Sequence, residues 1–445
     1  MNDSMPPMNS ASSPPDNDLD APLVTRATVV PFVLITTLFF LWAIPNNLND
    51  VLIRQFMKSF AMNRLEAGLV QSAFYIGYFL LAMPAALIMR RFGYKSGFLI
   101  GLGLYSLGCF LFWPAAIANR YAFFLGALFV IASGLSFLET ASNSFIAQLG
   151  DPRSAARRLN LAQAFNPVGS ITGVLIGTIF IFSGVNLTTR QVAALHARHA
   201  YHAYLHTETM RVVGPYLFLA VVTLGMLVLI TVTKFPESLT KTEALEEHGG
   251  SFRALLRHPG FVIAVLAQFA YVGAQIGTWS YFIPYVLSYT NDQDKAAGFL
   301  LTASLVAFLI GRFFSAWLMR FIHPSRLMGI YCVANTLLVL AGVAFPGWVG
   351  VWALLLTSFF MSLMFPTIFA QGIRGLGPNT KLGGSLMVMA IVGGAVLTPM
   401  MGLIVHRTGS QALSYLVPLA AYVFVGFYAF ADLRISRAPA DPVAM

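Results

Sequence analysis

Long apolar runs alternate with short polar stretches from residue 28 to residue 432. Many of the runs reach the roughly 20 residues that an α-helix needs to cross a bilayer. Their positions predict twelve helices, over residues 28–56, 64–90, 95–118, 120–148, 158–184, 211–234, 258–290, 296–321, 326–345, 348–376, 380–407 and 410–432. Such a chain reads as an all-α membrane protein, because a helix satisfies its backbone polar groups internally where lipid offers none. An even number of spans puts both termini on one side. The loops on that side carry the larger share of Lys and Arg, so the positive-inside bias predicts that both termini are cytoplasmic.

Two connections are long. Residues 185–210 fall outside and carry His196, His199, His202 and His206, while the charged segment 235–257 falls inside, between predicted helices six and seven. The second reads as a cytoplasmic linker between an N-terminal six-helix half, 28–234, and a C-terminal six-helix half, 258–434. Cytoplasmic tails cover 1–27 and 435–445. The halves echo each other. MRRFGYKSG after the second helix is matched by MRFIHPSR after the eighth, FWPA by FPGW, and LSFLETASNSFIAQLG by MSLMFPTIFAQGIRGLG, in the same order at nearly one offset. This predicts two pseudo-symmetric halves, a design that places a carrier's site near the membrane midplane.

Composition narrows the function class. Charged residues make up 10% of the chain, against about 25% in soluble proteins. The net charge of +10 does not indicate nucleic acid, because the basic residues are scattered through short loops. Cys109 and Cys332 sit inside apolar segments and read as packing residues rather than a disulfide or a metal site. The polar, proline-rich N-terminus lacks the basic and apolar regions of a signal peptide and reads as a disordered tail. The run LHARHAYHAYLH has histidines at ligand-like spacing but lies outside the membrane among arginines, and reads as a solvated helix. No nucleotide-binding loop and no catalytic or metal-binding constellation is present. The expectation is therefore not an enzyme, with no metal and no cofactor.

Two acids stand where a membrane chain should have none. Asp50 and Glu139 both fall within predicted spans. A carboxylate at such depth costs a few kcal/mol or more and is by default functional. Around Asp50, the residues Trp42, Asn46 and Asn49 share one helical face, and Pro45 is expected to interrupt the helix and free nearby carbonyls. An indole, amides and a carboxyl on one face suit a polyol: sugar CH faces rest on aromatics, and hydroxyls need donors and acceptors. Glu139 has Ser136, Ser142 and Asn143 beside it. Arg312 is the only intramembrane base, and a static Glu139–Arg312 pair is the less favoured reading. A desolvated carboxyl without a base holds its proton more readily, as a proton carrier requires. Further polar stripes are Asn160, Gln163 and Asn166; Gln71, Tyr75 and Tyr78; and Gln268, Tyr271, Gln275, Thr278, Trp279 and Phe282. They suit a cavity wall as well as helix–helix contacts. Acids in the first half, with amides and aromatics in the second, place proton handling mostly in the first.

At LNDVLIRQF, LVQSAFYIGYFL, GLSFLETASN, LNLAQAFNPVG, QFAYVGAQIGTWSYF, MFPTIFAQGIRGLGP and MAIVGGAV, the chain resembles the fucose–galactose–glucose:proton symporters of the major facilitator superfamily, within them the L-fucose permeases. The resemblance runs from about 28 to 434. It implies an alternating-access sugar:proton symporter of the bacterial inner membrane, a monomer, with L-fucose as the first expectation. Glucose, galactose or N-acetylglucosamine is the alternative sugar. It also implies that Asp50 and Glu139 are the proton- and substrate-linked acids and that Asn49 and Gln163 face the sugar. The chain departs from the family at Phe369, where some fucose permeases carry tyrosine, and at Met89, where the superfamily usually has an acid. A proton-driven drug exporter is the rival of another class. It would show a more aromatic, less amide-rich cavity.

Overall fold

A computed structural model describes residues 22–26, 28–60, 62, 69–183, 189–235, 252–290 and 294–437. Inside the helices the side chains of a few residues, Asp50 and Gln71 among them, lie outside the described set. So do most of the expected N-terminal tail, residues 236–251 of the expected linker over 235–257, and the end of the C-terminal tail.

All regular structure among the described residues is helical. We number the membrane helices α1 (Val29–Ser59), α2 and α3 (together Leu69–Ala118), α4 (Tyr121–Gln148), α5 (Pro152–Ile181), α6 (Tyr201–Val232), α7 (Pro259–Tyr289), α8 (Asp294–Leu318), α9 (Pro324–Ala344), α10 (Trp348–Gly372), α11 (Gly377–Thr408) and α12 (Gln411–Leu433). These form 11 apolar helical stretches long enough to cross a membrane, and the one holding α2 and α3 crosses twice. It reverses at Gly93, whose φ of 79° is a left-handed value that glycine adopts without strain. The Ser96 hydroxyl closes this turn by donating to the Gly93 carbonyl at 2.7 Å. The chain is thus a multi-pass membrane protein of twelve helices.

Continuity at the prolines of three helices is a finding of the structure. α1 runs through Pro45 without a break. Proline lacks an N–H, so the carbonyl four residues earlier, that of Leu41, has no helical partner. The buried Tyr105 hydroxyl of α3 donates to that carbonyl at 3.0 Å, and the helix continues. α5 does loosen, between Gln163 and Asn166, ahead of Pro167. α10 divides into Trp348–Met361 and Met364–Gly372, ahead of Pro366. Replacing Tyr105 with Phe orphans the Leu41 carbonyl inside the bundle. The expected cost is about 1–3 kcal/mol, read as a lower melting temperature of the purified protein. An unchanged melting temperature would contradict this role.

The long connection between α5 and α6, expected outside the membrane, is partly helical. Thr189–Ala197 and Tyr201–Met210 precede the apolar part of α6, and the four histidines are exposed. The second segment docks on the end of α1. Gln55 donates its amide to the Glu208 carbonyl at 2.8 Å, and Lys58 lies 3.1 Å from the Glu208 carboxylate.

α1 and α5 pack backbone to backbone. A methyl group on Gly173 would come within 2.5 Å of the Ile44 carbonyl. Small residues permit such approach where lipid supplies no hydrophobic drive. The two halves meet toward the face that carries the Gly93 turn, the α4–α5 turn and residues 22–26, here called the tail-side face. There Asn160 of α5 donates to the Thr367 hydroxyl of α10 at 3.0 Å, and Gly384 lets α11 lie against Ser144 of α4. Pro22 accepts from Ser154 at 3.1 Å, which ties the described end of the N-terminal segment to this face.

Candidate functional site

The prolines of α5 and α10 set up the centre of the molecule. Pro167 leaves the Gln163 carbonyl without its helical donor, and Pro366 does the same for the Ser362 carbonyl. One belongs to the first half and one to the second. Arg312 of α8, buried, takes both. Its Nε donates to the Ser362 carbonyl at 2.8 Å, and one terminal nitrogen donates to the Gln163 carbonyl at 3.1 Å and to the Gln163 Oε1 at 2.8 Å. The guanidinium also lies 4.8 Å from the Phe308 ring centroid. The Tyr271 hydroxyl of α7 is beside it, close but without a well-formed bond. Among the described residues Arg312 has no carboxylate partner. A buried ion without a counter-charge is costly, and here neutral acceptors and a ring face offset the cost.

The path continues into the first half. Gln163 donates its amide to Asn143 Oδ1 at 2.6 Å, and Asn143 donates to the main-chain carbonyl of Glu139 at 3.0 Å. The Glu139 side chain lies deep in the bundle yet keeps partial exposure, which puts it on the wall of an internal cleft. Its carboxyl meets the buried Tyr78 hydroxyl of α2. Ser136 holds that segment of α2 in place by donating to the Tyr78 carbonyl at 2.9 Å. Polar contact therefore runs from α2 through α4 and α5 to α8, beside α7, and crosses between the halves.

The structure sorts the residues singled out in the sequence. Glu139, Asn143, Gln163 and Tyr271 lie along this path. Asn46 is exposed, and Tyr75, Asn166, Gln275 and Trp279 are partly exposed. Asn166 donates to the Phe39 carbonyl at 3.3 Å, and Trp279 donates its indole N–H to Ser358 at 3.1 Å while packing on Phe308. Trp42, Asn49 and Gln268 are buried, Trp42 against Phe39. The amides of Asn49 and Gln268 make no hydrogen bond among the described residues. Asp50 belongs to α1, and its side chain lies outside the described residues.

Two participants escaped the sequence reading. Tyr78 stood in a stripe with Tyr75, but nothing in that spacing pairs it with Glu139. Arg312 stands out in the sequence only as a base at membrane depth, a candidate partner for Glu139. The available signal was the pair Pro167 and Pro366, each of which marks a carbonyl left for a buried donor.

Comparison with known proteins agrees with this architecture. The profile described as Major Facilitator Superfamily matches residues 32–381. The L-fucose-proton symporter of Escherichia coli (strain K12) is 42% identical over 421 residues, covering 93% of this chain and 95% of that protein. The glucose/galactose transporter of Brucella abortus (strain 2308) is 32% identical, covering 88% and 92%. A crystal structure of a superfamily transporter, FucP, in the outward conformation superposes with a TM-score of 0.84 at 41% identity, covering 92% of this chain and 99% of that one.

Proposed function

The chain belongs to the major facilitator superfamily, and from that premise we propose that it is a proton-coupled L-fucose symporter that imports its sugar by alternating access. It resides in the bacterial inner membrane as a monomer with both termini in the cytoplasm, its halves divided within 235–257. The observation that carries the reading is Glu139: a carboxyl on the wall of a central cleft, met by a tyrosine hydroxyl, in a chain 42% identical to a named L-fucose-proton symporter. The 32% identity to a named glucose/galactose transporter makes that sugar class the second choice.

The proposed cycle uses these contacts. Arg312, Asn160–Thr367 and the Gly384 contact join the halves toward the tail-side face, which supports a cycle that starts with access from the opposite side. A proton enters Glu139 from that side. The sugar binds among Asp50, Asn46, Asn49, Asn166 and Gln163 of the first half and Tyr271, Gln275 and Trp279 of the second. The free amides of Asn49 and Gln268 keep their capacity for hydroxyl groups. The halves then rock, Arg312 gives up Gln163, and sugar and proton leave on the tail side. Each 100 mV of membrane potential supplies about 2.3 kcal/mol per charge moved, enough to concentrate sugar tens-fold.

The test is uptake by proteoliposomes under an imposed pH gradient, with L-fucose, D-galactose, D-glucose and N-acetylglucosamine offered separately. L-Fucose should accumulate, and a protonophore should abolish accumulation. Accumulation of another sugar in its place would overturn the substrate, and accumulation of none would overturn symport.

A further inference from the structure

On the lateral surface, α5 of the first half and α8 of the second converge toward the tail-side face. Between them is a cavity of about 100 Å³. Arg157 and Leu161 line it from α5, Phe313, Trp317 and Arg320 from α8, and Leu23 from the N-terminal segment. The two arginines are near enough to repel each other. Among the described residues neither is paired with a carboxylate, and the buried Arg157 Nε has no hydrogen-bond partner. Among the described residues, two cations face one cavity with no anion, an incomplete arrangement.

The surroundings identify the missing group. Phe313 and Trp317 are 40% and 49% exposed on a membrane-spanning helix, so their rings face lipid chains. Arg320 lies just past the end of α8 and Arg157 near the start of α5, at the level where chains give way to headgroups. Guanidinium matches phosphate oxygens in geometry and charge. Basic pockets between membrane helices on the cytoplasmic side bind phosphate-bearing headgroups. We propose that this crevice binds the phosphate of an anionic membrane phospholipid, with Arg157 and Arg320 on the phosphate and an acyl chain along Phe313 and Trp317. A headgroup held by one arginine from each half removes their repulsion and bridges the seam. The bound lipid therefore favours the conformation closed on the tail side.

Native mass spectrometry of the full chain in detergent tests this, with phosphatidylglycerol, phosphatidylcholine and inorganic phosphate as separate probes. Phosphatidylglycerol should be retained at concentrations at least tenfold below those needed for phosphatidylcholine. Retention should fall at least tenfold in Arg157→Gln/Arg320→Gln and be unchanged in Arg326→Gln, whose arginine lies at the start of α9. Full retention by the double variant overturns the site. Full displacement by inorganic phosphate overturns the lipid as its source and leaves a free-anion site. A second measurement does not depend on the arginine variants folding. Phosphatidylglycerol with brominated chains should quench a component of tryptophan fluorescence that Trp317→Phe removes. Equal quenching by brominated phosphatidylcholine, or an unaltered component in Trp317→Phe, overturns the proposal.

Discussion

A Glu139→Gln variant is expected to exchange sugar across the membrane without concentrating it. The amide has nearly the shape of the carboxyl, offers the Tyr78 hydroxyl an acceptor, and leaves the Asn143 bond to the Glu139 main chain intact. It cannot release a proton. Coupling to a potential of 100 mV is worth about 2.3 kcal/mol per charge, so its loss takes the accumulation ratio from tens-fold to about one. Counterflow moves no net protons and should persist. The measurement is the steady-state ratio of internal to external sugar in proteoliposomes, with counterflow run beside it. Accumulation at the unaltered level in Glu139→Gln would remove Glu139 as the proton carrier. Loss of counterflow as well would make it a structural residue.

The second large effect is expected at Arg312→Lys. Charge is kept, but an ammonium is a point donor and cannot span the Ser362 carbonyl, the Gln163 carbonyl and Gln163 Oε1 as the planar guanidinium does. A hydrogen bond to a charged group contributes about 1.5–3 kcal/mol. In the proposed cycle this contact opens, so losing one such bond shifts the closed–open equilibrium about tenfold or more. Uptake should fall at least tenfold. A cysteine placed at Ser385, buried at the closed face, should react faster with a membrane-impermeant maleimide applied from the tail side. Wild-type uptake and labelling in Arg312→Lys would show that the guanidinium does not hold the seam.

Sequence pattern made the helices legible because crossing a membrane imposes length and apolarity together, and little else satisfies both. It also placed the reversal near Gly93, where a basic glycine-containing turn separates two apolar runs. The breaks in α5 and α10 were less legible. Proline announces a missing hydrogen bond but not whether the helix yields. At Pro45 a tyrosine from another helix repairs the loss, and at Pro167 and Pro366 the helix loosens. The site was legible in its ingredients and not in its connections. Asn143 and Gln163 lie 20 residues apart on different helices, and only the packing of α4 on α5 joins them. The polar stripe on α7 likewise hid a division: Gln268 is buried, while Gln275 and Trp279 keep some exposure. Helical spacing identifies a common face, but neighbouring helices decide how far along that face solvent reaches.

The grip of Arg312 has a further consequence. Its donor stays protonated at any pH a cell meets, and its three acceptors, two peptide carbonyls and an amide oxygen, do not titrate. This latch is therefore pH-blind, and because it is shielded inside the bundle its strength should vary little with ionic strength. An alkaline or acidic medium on the tail side would leave it unaltered. On the proposed cycle, sensing of the proton gradient then falls to the carboxyl of Glu139, while the contact that joins the halves stays constant.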